Sequence, residues 1–440
     1  MVRFIFLAGI LTASSLHGGG VYWTDRGARE LKRMNFDGSD PQTISLSGAV
    51  TSPGANVRGI AVDIAHNQLF WADNGADQIL RANFDGSASV ILHTIAGSSF
   101  PADVHLDPLA RRLYWCDQTR GHIERSDFDG ASLEFAVSDA APSGPYFMDL
   151  DLTRGKIYWG DFGGGSIYRA NPDGSQRETL LTGNNNTRGL RVDPAGQMLY
   201  WVNRDDQSIH RVPLAAFANG TIPLTDPAVQ TLYDQLDTPH GLTIDLPASK
   251  LYWADTGTNF GDGQGGKAVS RGDLDGSGPQ EVLAAGNQPW DVELDRRCRN
   301  YEEWRGRCFR ADAPPGLTAP EADAEADGLK NLLEYLFDLA PLHTDAAAHP
   351  RALLVSGPLS GASYLAMKFR RRTGTTDLVC YVQVSNDLTR WEGSATNPRT
   401  VEVEVTPLDD GMEEVLARTV DPVPPDSNQF MRVVAELKNP

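Results

Sequence analysis

Tyr22-Trp23-Thr24-Asp25, Phe70-Trp71-Ala72-Asp73, Tyr114-Trp115-Cys116-Asp117, Tyr158-Trp159-Gly160-Asp161, Tyr200-Trp201-Val202-Asn203 and Tyr252-Trp253-Ala254-Asp255 are versions of one four-residue motif. They recur at intervals of ~40–50 residues, the length of one four-stranded propeller blade. Six of the nine tryptophans occupy the second motif position, so the repeat is not a by-product of composition. An aromatic residue and a Trp that are neighbours on a strand point to opposite faces of the sheet. Each repeat therefore offers one large apolar group to the unit before it and one to the unit after it. The third position is small or slender, which leaves room for a neighbour's Trp. The closing acid or amide is placed to bond backbone amides at the strand end, and its recurrence in every copy marks a structural role.

Each motif sits in a longer frame. Upstream lies a short apolar strand ending in Asp, as in Gly59-Ile60-Ala61-Val62-Asp63, Gly189-Leu190-Arg191-Val192-Asp193 and Gly241-Leu242-Thr243-Ile244-Asp245. Downstream comes a strand carrying Arg, then Asp37-Gly38, Asp85-Gly86, Asp129-Gly130, Asp173-Gly174 or Asp275-Gly276. Asp-Gly is a strong hairpin signal because both central positions tolerate positive φ. A fourth strand follows, such as Ser89-Val90-Ile91-Leu92. Inner strands occur at Gly59, Asp103, Phe147, Gly189, Gly241 and Asp291. The first motif has no inner strand before it, and Pro289 to Asp295 has no motif after it. The C-terminal strand is therefore expected to complete the first blade, which removes open sheet edges.

Over residues ~20 to ~295 this pattern resembles the YWTD repeat, also called the low-density lipoprotein receptor class B repeat. The resemblance implies an all-β fold with a six-bladed β-propeller, used for protein or matrix recognition. Two places depart from the pattern. The fifth repeat ends its motif in Asn203 and replaces the Asp-Gly turn with Pro213 to Pro227; the third opens on Pro101-Ala102-Asp103 instead of Gly.

Residues 1–20 are surplus to the repeats. Arg3, the apolar run Phe4 to Leu11 and then Ala13-Ser14-Ser15 read as a secretory signal peptide. The run is too short to span a bilayer, and no other stretch is apolar enough, so no membrane insertion is expected. Four cysteines do not make a disulfide scaffold. In an exported chain Cys298 and Cys308 are expected to pair, contributing about 2–3 kcal/mol. Cys116 and Cys380 read as small buried hydrophobes. The net charge of −19 argues against nucleic acid and anionic membranes as partners. A monomer is expected.

The propeller is assigned to residues 21–297, a closing segment and acidic Pro/Ala linker to 298–326, and a helix plus small antiparallel β-sandwich to 327–440. Within this last part Asp323, Glu325, Asp327, Asn331 and Glu334 fall at positions 1, 3, 5, 9 and 12 of an EF-hand-type loop, with Gly328 at the bend and the Leu329 carbonyl at position 7. These residues are candidate Ca²⁺ ligands, although Glu325 is longer than the usual Asp or Asn. Pro314, Pro315 and Pro320 forbid a long helix before the loop, so the element is half an EF-hand, dockerin-like. Leu329, Leu332, Leu333, Leu336 and Phe337 give one apolar helical face. Short strands follow from Ala352 onward, among which Val401-Glu-Val-Glu-Val405 alternates as a half-buried strand should. The segments around Asp327 to Tyr335 and Tyr381 to Trp391 resemble a C-terminal module of exported planctomycete- and verrucomicrobia-type bacterial proteins, which implies export and surface association.

The position just before each inner strand forms a ring on one propeller face. Its occupants are Arg58, Ala102, Tyr146, Arg188, His240 and Trp290, with Asp103 beside Ala102. Arg, Tyr and Trp are enriched at binding hot spots. The same face carries the long loop Thr256 to Gly266, with Phe260. This face is the candidate recognition surface for a protein, matrix or glycan ligand. Two residues further along lie His105, Asp149, Arg191, Thr243 and Glu293, with Ala61, all facing the axis. They define the alternative, a lactonase-like hydrolase or lyase with a metal in the channel. No Gly-x-Ser-x-Gly, His-Glu-x-x-His or phosphate-loop motif occurs.

Overall fold

Both ends of the repeat array meet in one sheet. The strand Pro289–Asp295 pairs antiparallel with Gly20–Asp25, with Trp23 opposite Val292 and Gly20 opposite Asp295. Glu30–Met34 and Gln42–Thr43 complete this blade. The computed structural model describes residues 19–50, 56–64, 66–108, 110–138, 144–184, 186–257, 267–297, 300–309, 314–323, 330–337, 350–356, 362–373, 375, 377–407, 412–424 and 429–438. The expected closure is therefore found, and Gly20 opens the strand one residue before the boundary drawn from sequence.

Blades 2 to 6 each run outward in chain order from their inner strands, Val57–Asp63, Pro101–Asp107, Pro145–Asp151, Thr187–Asp193 and Pro239–Asp245. The anomaly in the fifth repeat has a structural purpose. Where the Asp-Gly turn is missing, Leu214–Asn219 forms a 3₁₀ helix that buries Phe217. Ile222–Pro223 then pairs in parallel with the outer strand Glu178–Thr182 of blade 4, covering an edge that would otherwise be open.

The motif works as a blade-to-blade joint. The leading aromatic of one blade shares a core cluster with the Trp of the next: Tyr22 with Trp71, Phe70 with Trp115, Tyr200 with Trp253 and, across the closure, Tyr252 with Trp23. Tyr114, Trp159, Tyr158 and Trp201 share one larger cluster. All six tryptophans are fully buried. The third motif position also faces the next blade, where Ala72 shares a cluster with Trp115 and Val202 with Trp253, and it meets that blade's inner strand as well. Thr24 Oγ1 donates to the Arg58 carbonyl at 2.6 Å, and a Cβ on Gly160 would fall 2.5 Å from Thr187 Cγ2. Alternation along the strand explains this, because the third residue shares a face with the first. The closing acids bond backbone amides as expected. Asp25 accepts from Ala28, Asn287 and Gln288, Asp73 from Gly75 and Ala76, and Asp117 from Phe100 and Arg120.

The recurrent Arg of the third strand is a second joint. Arg81 donates to the Phe128 carbonyl, Arg125 to Pro172, Arg211 to Leu274 and Arg271 to Phe36, each on the following blade. Arg271 is fully buried and also reaches the Phe309 carbonyl at 2.9 Å. It thereby ties blades 6 and 1 to the helix Tyr301–Cys308. Tyr301, Trp304 and Phe309 are buried in one cluster with Trp23, Tyr252, Tyr335 and Phe369, so the segment after the propeller is a packed bridge.

Beyond it lie the short helices Pro315–Thr318 and Asn331–Phe337, then two antiparallel sheets. The first has four strands in the order Arg351–Ser356, Ser363–Arg372, Met412–Thr419, Thr400–Pro407; the second pairs Leu378–Ser385 with Phe430–Leu437. The strand around Val401 departs from expectation. It is an outer edge strand exposed on both faces, Val401, Val403 and Val405 included, with a register shift between Glu402 and Glu404. Cys116 is buried as expected, and burial pushes its thiol above the ordinary range. Cys380 is only half-buried, which departs from the sequence expectation, although desolvation takes its thiol up to about 12. Residues 1–18 of the segment expected to be a signal peptide, Cys298, and the side chain of Cys308 lie outside the described residues. No helix among the described residues is long and apolar enough to cross a membrane.

Candidate functional site at the channel mouth

Every inner strand carries a register shift where it meets the channel mouth. The pairing jumps from Val57 to Ile60, Pro101 to Val104, Pro145 to Phe147, Arg188 to Leu190 and Pro239 to Leu242, and Trp290 is skipped between Pro289 and Asp291. A bulge re-aims the side chain it carries. The ring positions read from the sequence lie in or beside these bulges, so the structure brings them together.

They meet as a continuous belt. The guanidinium of Arg58 lies 3.7 Å from the Trp290 ring centre and 5.0 Å from that of Phe100. Phe100 contacts Tyr146 at 5.7 Å, and Arg188 lies 4.1 Å over Tyr146 and 4.8 Å over Phe162. On the other side His240 packs at 4.1 Å on Trp290. Cation–π contacts of this kind gain strength when desolvated. Ala102 is wholly buried beneath the belt.

The belt is dry and cationic. Arg58 is 4% and Arg188 3% exposed. Arg188 Nη1 donates to the Thr187 carbonyl at 2.9 Å, yet its Nε, Arg58 Nε and Nη1, and Trp290 Nε1 are buried with no hydrogen-bond partner. Burial pulls both guanidinium pKa values down to about 10, and both groups stay charged at neutral pH. Burial, then Arg188, hold His240 well below its ordinary value, so it is neutral. Its Nδ1 lies 3.0 Å from the Thr238 carbonyl.

Below the mouth the channel residues satisfy one another. Arg191 donates to Glu293 at 3.1 Å and to the Leu190 carbonyl at 2.8 Å; Thr243 donates to Glu293 at 3.0 Å. His105 lies 3.3 Å from both Asp103 and Asp149. Burial and Arg191 disfavour its charged form, but the two carboxylates outweigh them and raise its pKa to about 9. Asp103 belongs to this layer and not to the belt. Its two oxygens accept the Val104 and Met148 amides. Asp291 plays the matching part from blade 1, accepting the Ile60 amide at 3.0 Å. Both aspartates fit because the adjacent blade has glycine, Gly59 against Asp103 and Gly241 against Asp291, where a Cβ would collide.

Of the candidate Ca²⁺ ligands, Asp323 is exposed and Asn331 is buried. Asn331 Nδ2 donates to the Leu317 and Ala319 carbonyls, leaving Oδ1 buried without a partner. Glu325, Asp327, Leu329, the Glu334 side chain and Phe260 lie outside the described residues. Among the described residues no group of three or more His, Cys, Asp or Glu side chains is arranged to hold a metal. The sequence reading missed Phe100 and Phe162. Phe162 directly follows the Asp161 that ends a motif, and Phe100 directly precedes the blade 3 inner strand; only the three-dimensional ring gives either a meaning.

The fold is a six-bladed β-propeller. A chain from the crystal structure of a nidogen/laminin complex superposes with a TM-score of 0.51 at 20% identity, covering 63% of this chain and 98% of that one. A virginiamycin B lyase from Staphylococcus aureus matches at 0.45 and 14% identity, over 62% of this chain and 84% of its own. A gluconolactonase from Xanthomonas campestris matches at 0.44 and 18%, over 63% and 88%. No protein-family model and no curated protein matches the sequence.

Proposed function

We propose that the propeller is a non-enzymatic recognition module and that the belt at the channel mouth is its binding face for protein or matrix ligands. The observation that carries this reading is the convergence of bulged positions from the six blades on a belt where Arg58 Nε and Nη1, Arg188 Nε and Trp290 Nε1 find no acceptor among the described residues. Burying a donor without a partner costs free energy, and such a cost is sustained where a ligand supplies the partner. Arg, Tyr and Trp are also the side chains that dominate interface energetics. The propeller of the nidogen/laminin complex offers a precedent for protein recognition by this architecture.

The rival reading, a hydrolase or lyase with a metal in the channel, would draw on His105, Asp149 and Glu293. Each is already engaged with Arg191, Thr243, Asp103 or a backbone amide, so binding is the better-supported reading. The same proposal makes the protein exported and its C-terminal module a surface-association element. It also gives that module a Ca²⁺ loop, to which Asn331 Oδ1 would contribute its unused oxygen. Calorimetric titration of the full chain tests the loop: absence of heat and of a thermal shift at millimolar Ca²⁺ rejects it.

The binding face is tested by screening the full chain against purified extracellular proteins and glycans by biolayer interferometry, then repeating with Arg188→Ala and Trp290→Ala. A ligand whose binding weakens at least tenfold in both folded variants supports the face. A ligand bound equally by wild type and both variants retires it.

A further inference from the structure

We propose that the channel mouth is a receptor for a single carboxylate, presented as an aspartate or glutamate side chain of a protein ligand and held by Arg58 and Arg188. This rests on the reading of the mouth as a binding face and adds the chemical group that it recognises.

Of the four other buried arginines among the described residues, Arg33 also leaves its Nε unpartnered and Arg372 donates to the Tyr335 carbonyl, while the two most engaged show a guanidinium in a structural role. Arg191 has Glu293 and the Leu190 carbonyl; Arg271 has Glu281, the Phe36 carbonyl and the Phe309 carbonyl. Arg58 and Arg188 are just as inaccessible, and Arg188 has the Thr187 carbonyl, yet neither forms a salt bridge among the described residues, and three of their nitrogens are orphaned. Stacking on Trp290, Phe100, Tyr146 and Phe162 fixes both guanidinium planes without using their N–H donors. Arg188 disfavours the charge of Arg58, and both depress His240. Arg26 adds to the positive field at Arg58 and Arg204 at Arg188, with Asp205 the opposing charge. Asp205 is itself hydrogen-bonded by Asn186 at 2.7 Å. Trp290 Nε1 supplies one more unused donor beside Arg58. The site therefore lacks one anion with several acceptor lone pairs, and charge-assisted bonds to preorganised guanidinium groups are strong.

A carboxylate fits better than a polyanion. The chain carries a net charge of −19, which repels extended sulfated or phosphorylated polymers at long range. One carboxyl group on an otherwise neutral or basic surface escapes that repulsion and meets a local positive field at the mouth.

The test uses the full chain with ¹⁵N-labelled arginine and tryptophan. The probes are N-acetyl-aspartate amide, N-acetyl-asparagine amide and inorganic sulfate, at matched ionic strength. Expected are saturable shifts of the Arg58 and Arg188 Nε–H and Trp290 indole signals with the aspartate probe, at least tenfold weaker with the asparagine probe and in Arg58→Gln and Arg188→Gln. Equal response to both amino-acid probes, no response, or tighter binding of sulfate than of the aspartate probe overturns the proposal. The two levels separate cleanly. A protein ligand that needs Trp290 but tolerates Asp→Asn and Glu→Gln changes throughout its own surface keeps the face and rejects the carboxylate. If either Gln variant unfolds, Trp290→Phe, which keeps the ring and removes the indole N–H, takes its place, with the indole contribution expected as a measurable weakening of the aspartate probe and unchanged binding counting against the site.

Discussion

Arg58 rests 3.7 Å over the ring of Trp290, a contact between the first inner strand of the repeat array and the strand that closes it. The same strand pairing that joins blade 1 to itself therefore also completes the belt at the channel mouth. Closure of the ring and assembly of the candidate site are one event, and the site exists only in the closed propeller.

An unpaired buried charge lowers stability unless a ligand compensates it. Arg58→Met and Arg188→Met are therefore expected to leave the thermal midpoint unchanged or raised, while ligand binding falls. Differential scanning calorimetry checks this. A drop of several degrees in both variants would mean that the arginines serve packing.

Arg271 is the opposite case. Arg271→Met removes bonds to the Phe36 and Phe309 carbonyls and strands Glu281. Loss of about 3 kcal/mol is expected in chemical denaturation. The helix Tyr301–Cys308 should also loosen first, which native-state hydrogen exchange would report.

Gly241 and Asp291 are a matched pair. A Cβ on Gly241 would collide with the Asp291 side chain and backbone, so Gly241→Ala should cost about 1–3 kcal/mol. Asp291→Gly in the same chain should cost less than the sum of the single changes, because it empties the contested space. Strict additivity of the two denaturation midpoints would contradict this account.

Stability should fall as pH rises, in two windows. Asp255 is raised from 3.8 to about 7, chiefly by burial, and Asp291 is raised by burial and by Asp103. Between the unfolded and folded values the native state holds protons that the unfolded chain has lost, so these groups reduce stability as pH climbs from ~4 to 7. His105, raised from 6.5 to about 9, contributes stability that is complete below 6.5 and is lost as pH rises through 9. Asp255→Asn should flatten the lower window of a thermal-midpoint profile, and His105→Gln the upper one.

The repeat, the blade count and the closing strand were legible because each depends on local pattern. Strand alternation fixes where the motif aromatics point, and Asp-Gly fixes the hairpins. The ring Arg58, Ala102, Tyr146, Arg188, His240, Trp290 was legible as a list of equivalent positions. Its chemistry was not, since whether Arg58 meets a carboxylate or Trp290 depends on residues more than two hundred positions away. The same limit hid the bridging role of Tyr301 and Trp304, which the Pro- and Ala-rich stretch after them obscured, and the exposed edge at Val403, where no second layer among the described residues covers an alternating strand.

By itself the sequence determined a closed six-bladed propeller followed by a short helix and antiparallel strands, because period, alternation and turn chemistry are properties of neighbouring residues. Only the tertiary structure decided which buried groups are satisfied. It placed Arg191 and Arg271 among acceptors and left Arg58 and Arg188 on aromatic faces with donors unused. The physical reason is that hydrogen-bond partners and desolvation are set by what the six blades bring to one axis, and no local stretch of chain specifies that meeting.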